Sequence, residues 1–116
     1  MYGTIAVGTD GSETARVAEG VALALAAASS GRVLFVSAFT DGVARRRSVE
    51  ALEAARERAK NADVAAESEP IQAEPAEGIV ELADRHDAEL LVIGDVGMSG
   101  RRTLRLGGVT DGVSHA

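Results

Sequence analysis

Four short apolar runs alternate with helix-forming segments along this chain, and this alternation limits the available folds more than any other feature. The clearest runs, Thr4–Gly8 and Glu89–Gly94, are almost continuously apolar, as strands buried on both faces are. Connections between runs and helical segments are short, which favours parallel strands with helices crossing back over the sheet. The order β-α-β-α-β-α-β-α therefore predicts an α/β fold with a parallel sheet of four strands, covered by helices on both faces.

Turn and capping residues set the bounds of the expected elements. Asp10 or Ser12 is expected to cap the first helix, and Gly31 to end it. Pro75 suits the first turn of the third helix. The third strand carries two glutamates and is expected at an edge of the sheet. The expected strands are 4–8, 32–39, one within 63–73 and 89–94, and the other expected helices are 44–61, 75–86 and one starting at 108 or 109.

Length and composition narrow the functional classes. A chain of 116 residues predicts one domain, 1–116. The absence of cysteine excludes disulfides, thiolate zinc sites and cysteine nucleophiles, and two histidines predict no metal site. Twelve basic against eighteen acidic residues, a net charge of -6, argue against a nucleic-acid partner. No apolar run reaches the roughly 18 residues that a membrane span needs, and no secretion signal is recognisable, so we expect a cytoplasmic protein.

A glycine-rich segment follows the last apolar run and is the strongest local signal for ligand binding. Gly94–Gly97 is separated by nine residues from Gly107–Val109, and between them lie Arg101, Arg102 and Arg105. Glycines let the backbone approach a ligand, and N–H groups at a strand end that leads into a helix can hold phosphate oxygens. The pattern is neither a Walker loop nor a GxGxxG dinucleotide fingerprint. It predicts a phosphate site at the carboxyl ends of the strands, where parallel sheets bind ligands.

Several segments together resemble the universal stress protein family. They are Thr9-Asp-Gly-Ser-Glu after the first strand, Pro75-Ala-Glu-Gly-Ile-Val-Glu-Leu-Ala in the third helix, and Ala88-Glu-Leu-Leu-Val-Ile-Gly in the fourth strand. The spacing Gly-x2-Gly-x9-Gly at Gly94, Gly97 and Gly107 resembles that of the family's ATP-binding branch. The resemblance covers essentially the whole chain in consistent order.

The resemblance implies a flavodoxin-like, Rossmann-like α/β/α sandwich, a homodimer, and ATP held at the ends of strands one and four, with Mg²⁺ or Mn²⁺ beside the phosphates. It implies that Asp10 lies near the ribose and that the backbone of Ala38 meets the adenine edge. The glycines would line the triphosphate. The candidate nucleotide contacts are Thr9, Asp10, Ala38, Gly94, Gly97, Arg101, Gly107, Gly108 and Val109.

The chain departs from the family pattern in two places. Gly108 stands where the family has Ser or Thr, so one hydroxyl to a phosphate is lost, worth about three- to tenfold in affinity. The family continues past the last helix into a fifth strand that commonly forms the dimer edge, whereas this chain stops at Ala116. We therefore expect four strands only.

Two functional hypotheses remain open at this point. The first is a small ATP-binding stress-response protein that acts as a sensor or regulator, with slow ATP hydrolysis at most and no assignable catalytic residue. The alternative is an interaction module of the same fold that binds no nucleotide. A flavin-binding relative is disfavoured, because only 3% of residues are aromatic. Purely structural interpretations compete for some residues: Asp10 as a helix cap, Arg45–Arg47 as solvated charges, and His86 as a packing residue.

Overall fold

The computed structural model describes residues 3–96 and 102–107, and a five-stranded sheet lies at its centre. In chain order the elements are β1 (Thr4–Gly8), α1 (Glu13–Ser29), β2 (Arg32–Phe39), α2 (Gly42–Asn61), β3 (Ala66–Gln72), α3 (Pro75–Arg85), β4 (Leu90–Val96) and β5 (Arg102–Gly107). The strand order is β3-β2-β1-β4-β5, and the first four strands are parallel. The predicted parallel sheet of four strands is confirmed, with β3 at its edge. No helix of the described residues is long and apolar enough to cross a membrane.

The end of the sheet differs from the expectation. β4 continues two residues beyond Gly94, and Arg102–Gly107, which we assigned to the glycine-rich loop, forms β5 antiparallel to β4. The sequence Thr-Leu-Arg-Leu at 103–106 alternates polar and apolar residues, which is typical of an antiparallel strand. The glycine spacing on both sides of these residues favours a loop, and this expectation was wrong for 102–107. β5 precedes the helix expected at 108 or 109, which lies outside the described residues, so β5 is not the family's strand after that helix.

Helix α1 decides between the two capping candidates. The side chain of Ser12 accepts a hydrogen bond from the Ala15 N–H, so Ser12 is the N-cap. At the other end Ser30, not Gly31, has the left-handed conformation, with φ of 57°. Gly31 donates its N–H to the Ala26 carbonyl at 2.9 Å, so the chain turns one residue earlier than expected.

Alternating residues of β1 divide the core between the two faces of the sheet. Ile5 and Val7 pack with buried residues of α1 and α2, whereas Ala6 packs with Ala83 and Ala88 on the α3 side. The helix faces that cover the first side consist mainly of alanines, which allow helix and sheet to approach closely. The buried alanines of α1 and α2 in this core cluster are Ala18, Ala22, Ala26, Ala55 and Ala59.

The left-handed residue at the end of α1 generates a stability prediction. Ser30→Gly should raise the free energy of unfolding by about 0.5–1 kcal/mol, because glycine adopts positive φ without a Cβ penalty. Ala28→Gly, two residues earlier on the exposed side of the helix, should lower it by about 1 kcal/mol. Urea unfolding measures the free energy of unfolding of both variants. Changes of the same sign in the two variants would contradict the assigned end of α1.

Candidate functional site

The crevice expected from the topology lies at the carboxyl end of β1. The chain passes from β1 to β2 on one side, and β4 pairs with β1 on the other, so the strand order reverses at β1. Ligands of open parallel sheets bind outside the carboxyl ends of the strands at this reversal. The segment that leaves β1 there is Thr9–Ser12, which leads into α1.

Asp10 is held in a tight turn and faces solvent. Its Oδ1 accepts a hydrogen bond from the Ser12 N–H at 2.8 Å, and Gly11 between them has φ of +82°. Among the described residues no donor reaches the second carboxylate oxygen of Asp10. The turn therefore orients Asp10 so that its second carboxylate oxygen can accept a hydrogen bond from a ligand hydroxyl at the crevice.

The side chain of Thr9, a predicted contact, is directed into the protein. Thr9 is buried, and its hydroxyl donates a hydrogen bond to Oε2 of Glu19. The Thr9 hydroxyl oxygen also accepts a hydrogen bond from the Gly11 N–H at 3.3 Å. Sequence reasoning missed Glu19, which lies in α1 and is fully buried. The available signal was an acidic residue on the helix face that also carries Ala15 and Ala22.

Ala38, a predicted nucleotide contact, lies in β2 beyond the end of β1. The Val36 carbonyl accepts from the Thr9 N–H at 2.8 Å, so the backbone groups of Val36 project toward β1. Ala38 is two residues further along the strand, and its N–H and C=O project in the same direction. The β1–β2 ladder ends at the pair Gly8–Val36. Ala38 thus offers one donor and one acceptor beyond the end of β1.

Gly94 is required by packing. A Cβ atom on Gly94 would lie 2.3 Å from the Thr14 carbonyl oxygen and 3.3 Å from the Ala15 nitrogen. Since both atoms belong to the backbone of the first turn of α1, they cannot move aside as a side-chain tip would. The absence of a side chain at 94 lets β4 approach the helix that Ser12 caps.

Gly107 is not brought to Gly94. In the antiparallel ladder Gly94 pairs with Leu104, and Gly107 pairs with Leu91. The two glycines are therefore offset by three positions along the sheet, about 10 Å at the rise of a strand. The predicted grouping of Gly94 and Gly107 around one phosphate chain does not form, because β5 runs back toward the amino end of β4. The other predicted contacts, Gly97, Arg101, Gly108 and Val109, lie outside the described residues.

Side chains of both charge signs follow the carboxyl end of β2. Asp41 caps α2 by accepting from the Ala44 N–H at 2.8 Å, and Arg45 lies 6.0 Å from the centroid of the Phe39 ring. His86 lies elsewhere, at the end of α3, with its Nε2 3.0 Å from a carboxylate oxygen of Glu69.

Among the described residues no group of ligands marks a metal centre, and the two described grooves lie away from the site. Within residues 3–96 and 102–107, no three His, Asp or Glu side chains are grouped to hold a metal ion. Two open grooves border α2, one beside 53–66 and one beside 41–50, and neither includes Asp10, Ala38 or Gly94. The groups that the described residues place at the candidate site are the backbone of Ala38 and the carboxylate of Asp10.

The close approach at Gly94 predicts a large loss of stability on substitution. Gly94→Ala should lower the free energy of unfolding by about 1–3 kcal/mol, because β4 and α1 must separate to admit the methyl group. Gly20→Ala is the matched control: no atom lies within 4 Å of a Cβ at that position of α1, so this change should raise stability by about 0.5–1 kcal/mol. Urea denaturation of both variants compares them, and an unchanged midpoint for Gly94→Ala would contradict the described packing.

Comparison with known proteins adds a family to this geometry. A family model described as the universal stress protein family matches residues 1–116. Universal stress protein Rv1636 of Mycobacterium tuberculosis is 34% identical over 132 aligned residues, covering 98% of this chain and 90% of that protein. Its crystal structure is similar at a TM-score of 0.68 and 36% identity, over 98% of this chain and 87% of that one. The structure of a universal stress protein in complex with cAMP has a TM-score of 0.74 and 32% identity, over 84% and 80%.

Proposed function

This chain belongs to the universal stress protein family, and we propose that it binds an adenine nucleotide at the carboxyl ends of β1, β2 and β4. The observation that carries the proposal is the free backbone of Ala38 beyond the last β1–β2 pair, on the side of Asp10. A solved structure that is 32% identical, a universal stress protein in complex with cAMP, supports the same ligand class.

Adenine has the complementary hydrogen-bonding groups. Its exocyclic amino group donates and its ring nitrogens accept, so one edge of the base can pair with the C=O and N–H of Ala38. The ribose would then extend toward the turn at the end of β1, where Asp10 can accept a hydrogen bond from a sugar hydroxyl. Backbone recognition of this kind uses no side-chain group of residue 38, whose Cβ faces Gly78 of α3.

For the phosphates we propose the glycine-rich segment, with ATP as the ligand and Mg²⁺ or Mn²⁺ as the accompanying ion. Gly97, Arg101, Gly108 and Val109 would supply N–H groups and a positive charge near the end of β4, beside Gly94. Gly107 can join them only if β5 separates from β4, because its ladder partner is Leu91. ATP binding therefore carries a conformational cost in this protein.

Cyclic AMP is a second candidate, and a specific observation favours it. One phosphate that is closed onto the ribose needs fewer donors than a triphosphate, so it does not require Gly107 at the end of β4. The same ligand is bound in the solved universal stress protein named above. Cyclic AMP would use the Ala38 and Asp10 contacts while the β4–β5 pairing remains intact.

In the cell we propose a cytoplasmic, homodimeric sensor or regulator of the stress response. Efficient ATP hydrolysis is not part of the proposal, because phosphoryl transfer needs a positioned nucleophile and charge stabilisation. At the crevice Asp10 offers a carboxylate oxygen, which by itself is neither a positioned nucleophile nor a stabilising positive charge. We therefore expect slow hydrolysis at most.

Calorimetric titration of the purified protein tests the proposal. We expect micromolar binding of ATP with Mg²⁺ or of cAMP, and weaker binding of AMP, which has neither a triphosphate nor a cyclic phosphate. Tight binding of ATP alone would select the triphosphate site, and tight binding of cAMP alone would select the cyclic nucleotide. No detectable heat at millimolar concentrations of all three would contradict nucleotide binding and favour the interaction-module hypothesis.

The backbone contact at Ala38 can be tested directly. Ala38→Pro removes an N–H that the β1–β2 ladder does not use, so the fold should persist while adenine-nucleotide affinity falls about tenfold. Ala38→Ser keeps the N–H and is the control, with affinity expected near that of the unchanged protein. Circular dichroism verifies folding and calorimetry measures affinity. Equal affinity of a folded Ala38→Pro variant would remove Ala38 from the site.

A further inference from the structure

We propose that Glu19 is a positioning residue for the nucleotide site: through the Thr9 hydroxyl it holds the turn that presents Asp10. The inference rests on the proposed function, which it deepens by adding a residue that does not touch the ligand. It starts from one feature of the core, a fully buried carboxylate in a helix whose other inward positions are mainly alanines.

The contacts of Glu19 connect three elements. Its side chain is 1% exposed, and Oε2 accepts the hydrogen bond from the Thr9 hydroxyl at the end of β1. Oε1 accepts from Nε of Arg58 in α2 at 3.0 Å, and also from its Nη2. The side chain of Arg58 is 34% exposed, so this guanidinium reaches from solvent to the buried carboxylate.

Stability alone is a weak reason for this arrangement. Burying a carboxylate removes its hydration, and replacing a buried ion pair by apolar groups of similar volume is often neutral or stabilising. A leucine at position 19 would continue the apolar stripe of Ala15, Ala18 and Ala22. Glu19 supplies directed acceptors for the Arg58 guanidinium and for the Thr9 hydroxyl, which leucine cannot, and the acceptor for Thr9 is the one that reaches the turn.

That acceptor determines the orientation of the Thr9 hydroxyl. With its hydrogen directed at Oε2 of Glu19, the Thr9 hydroxyl oxygen presents a lone pair to the Gly11 N–H, 3.3 Å away. Asp10 lies between these two residues, and its own carboxylate bonds to the Ser12 N–H. The sequence of bonds from Glu19 through Thr9 to Gly11 therefore limits the conformations of the turn and the directions in which Asp10 can point.

A double-mutant cycle tests the inference on the full chain. Thr9→Val keeps the shape of the side chain and removes the hydroxyl, and Glu19→Leu removes the acceptor. With cAMP and with ATP plus Mg²⁺ as calorimetric probes, each variant should bind about three- to tenfold more weakly. The double variant should bind no more weakly than either single one, since both changes break the same connection. Thr9→Ser retains the hydroxyl and should restore affinity.

Two further measurements separate positioning from general loss of stability. Ala22→Gly destabilises the same buried face of α1 without touching the turn, so its affinity should not change. In the free proteins, the amide resonance of Gly11 should shift in Thr9→Val and Glu19→Leu, and not in Ala22→Gly.

The outcomes distinguish the inference from the function on which it rests. Unchanged affinity in the folded Thr9→Val variant, or additive losses in the double variant, would overturn the inference and leave nucleotide binding intact. Failure of the unchanged protein to bind any probe would overturn both. If Glu19→Leu does not fold, Thr9→Val still tests the connection, because both of its hydrogen bonds involve the Thr9 hydroxyl: unchanged affinity overturns the inference, and a loss that Thr9→Ser restores supports it.

Discussion

The hydrogen bond from the Thr9 N–H to the Val36 carbonyl is the last bond of the β1–β2 ladder, and the geometry of the candidate site depends on where it falls. Had β1 continued for two more residues, the backbone of Ala38 would be occupied by the sheet. Because the chain turns at Asp10 instead, β2 extends beyond its neighbour. The free N–H and C=O of Ala38 and the ordered carboxylate of Asp10 are consequences of that difference in strand length.

Helices pack closely on the sheet near the carboxyl ends of β2 and β4. A Cβ on Gly94 would collide with the first turn of α1, and a Cβ on Gly78 would lie 2.9 Å from Ile71 and 3.2 Å from the Cβ of Ala38. Glycine at these positions allows β4 to approach α1 and α3 to approach β2. The helices therefore pack closely against the strands near these ends, although the core contains few large side chains.

Sequence reasoning predicted the sheet well, because continuous apolar runs and short connections admit few alternatives. Asp10 and Ala38, predicted as nucleotide contacts by resemblance and by their positions at strand ends, stay predictions. Sequence reasoning did not predict β5, since the glycines on both sides of this segment favour a loop, and four alternating residues indicate a strand only when a pairing partner is known. Thr9 illustrates the same limit: its position was recognised, whereas the direction of its hydroxyl depended on Glu19, ten residues further along the chain.

The sequence by itself determined the α/β class, the four parallel strands, the turn after β1 and the membership of a family, because these depend on local pattern and on the order of elements. The contacts of individual residues, in contrast, follow from the tertiary structure. Glu19 became the buried acceptor for Thr9 because α1 packs against both the end of β1 and Arg58 of α2. Gly94 became a packing residue because Thr14 faces it. Such roles arise from contacts between residues distant in sequence, and these contacts form only when the helices pack on the sheet.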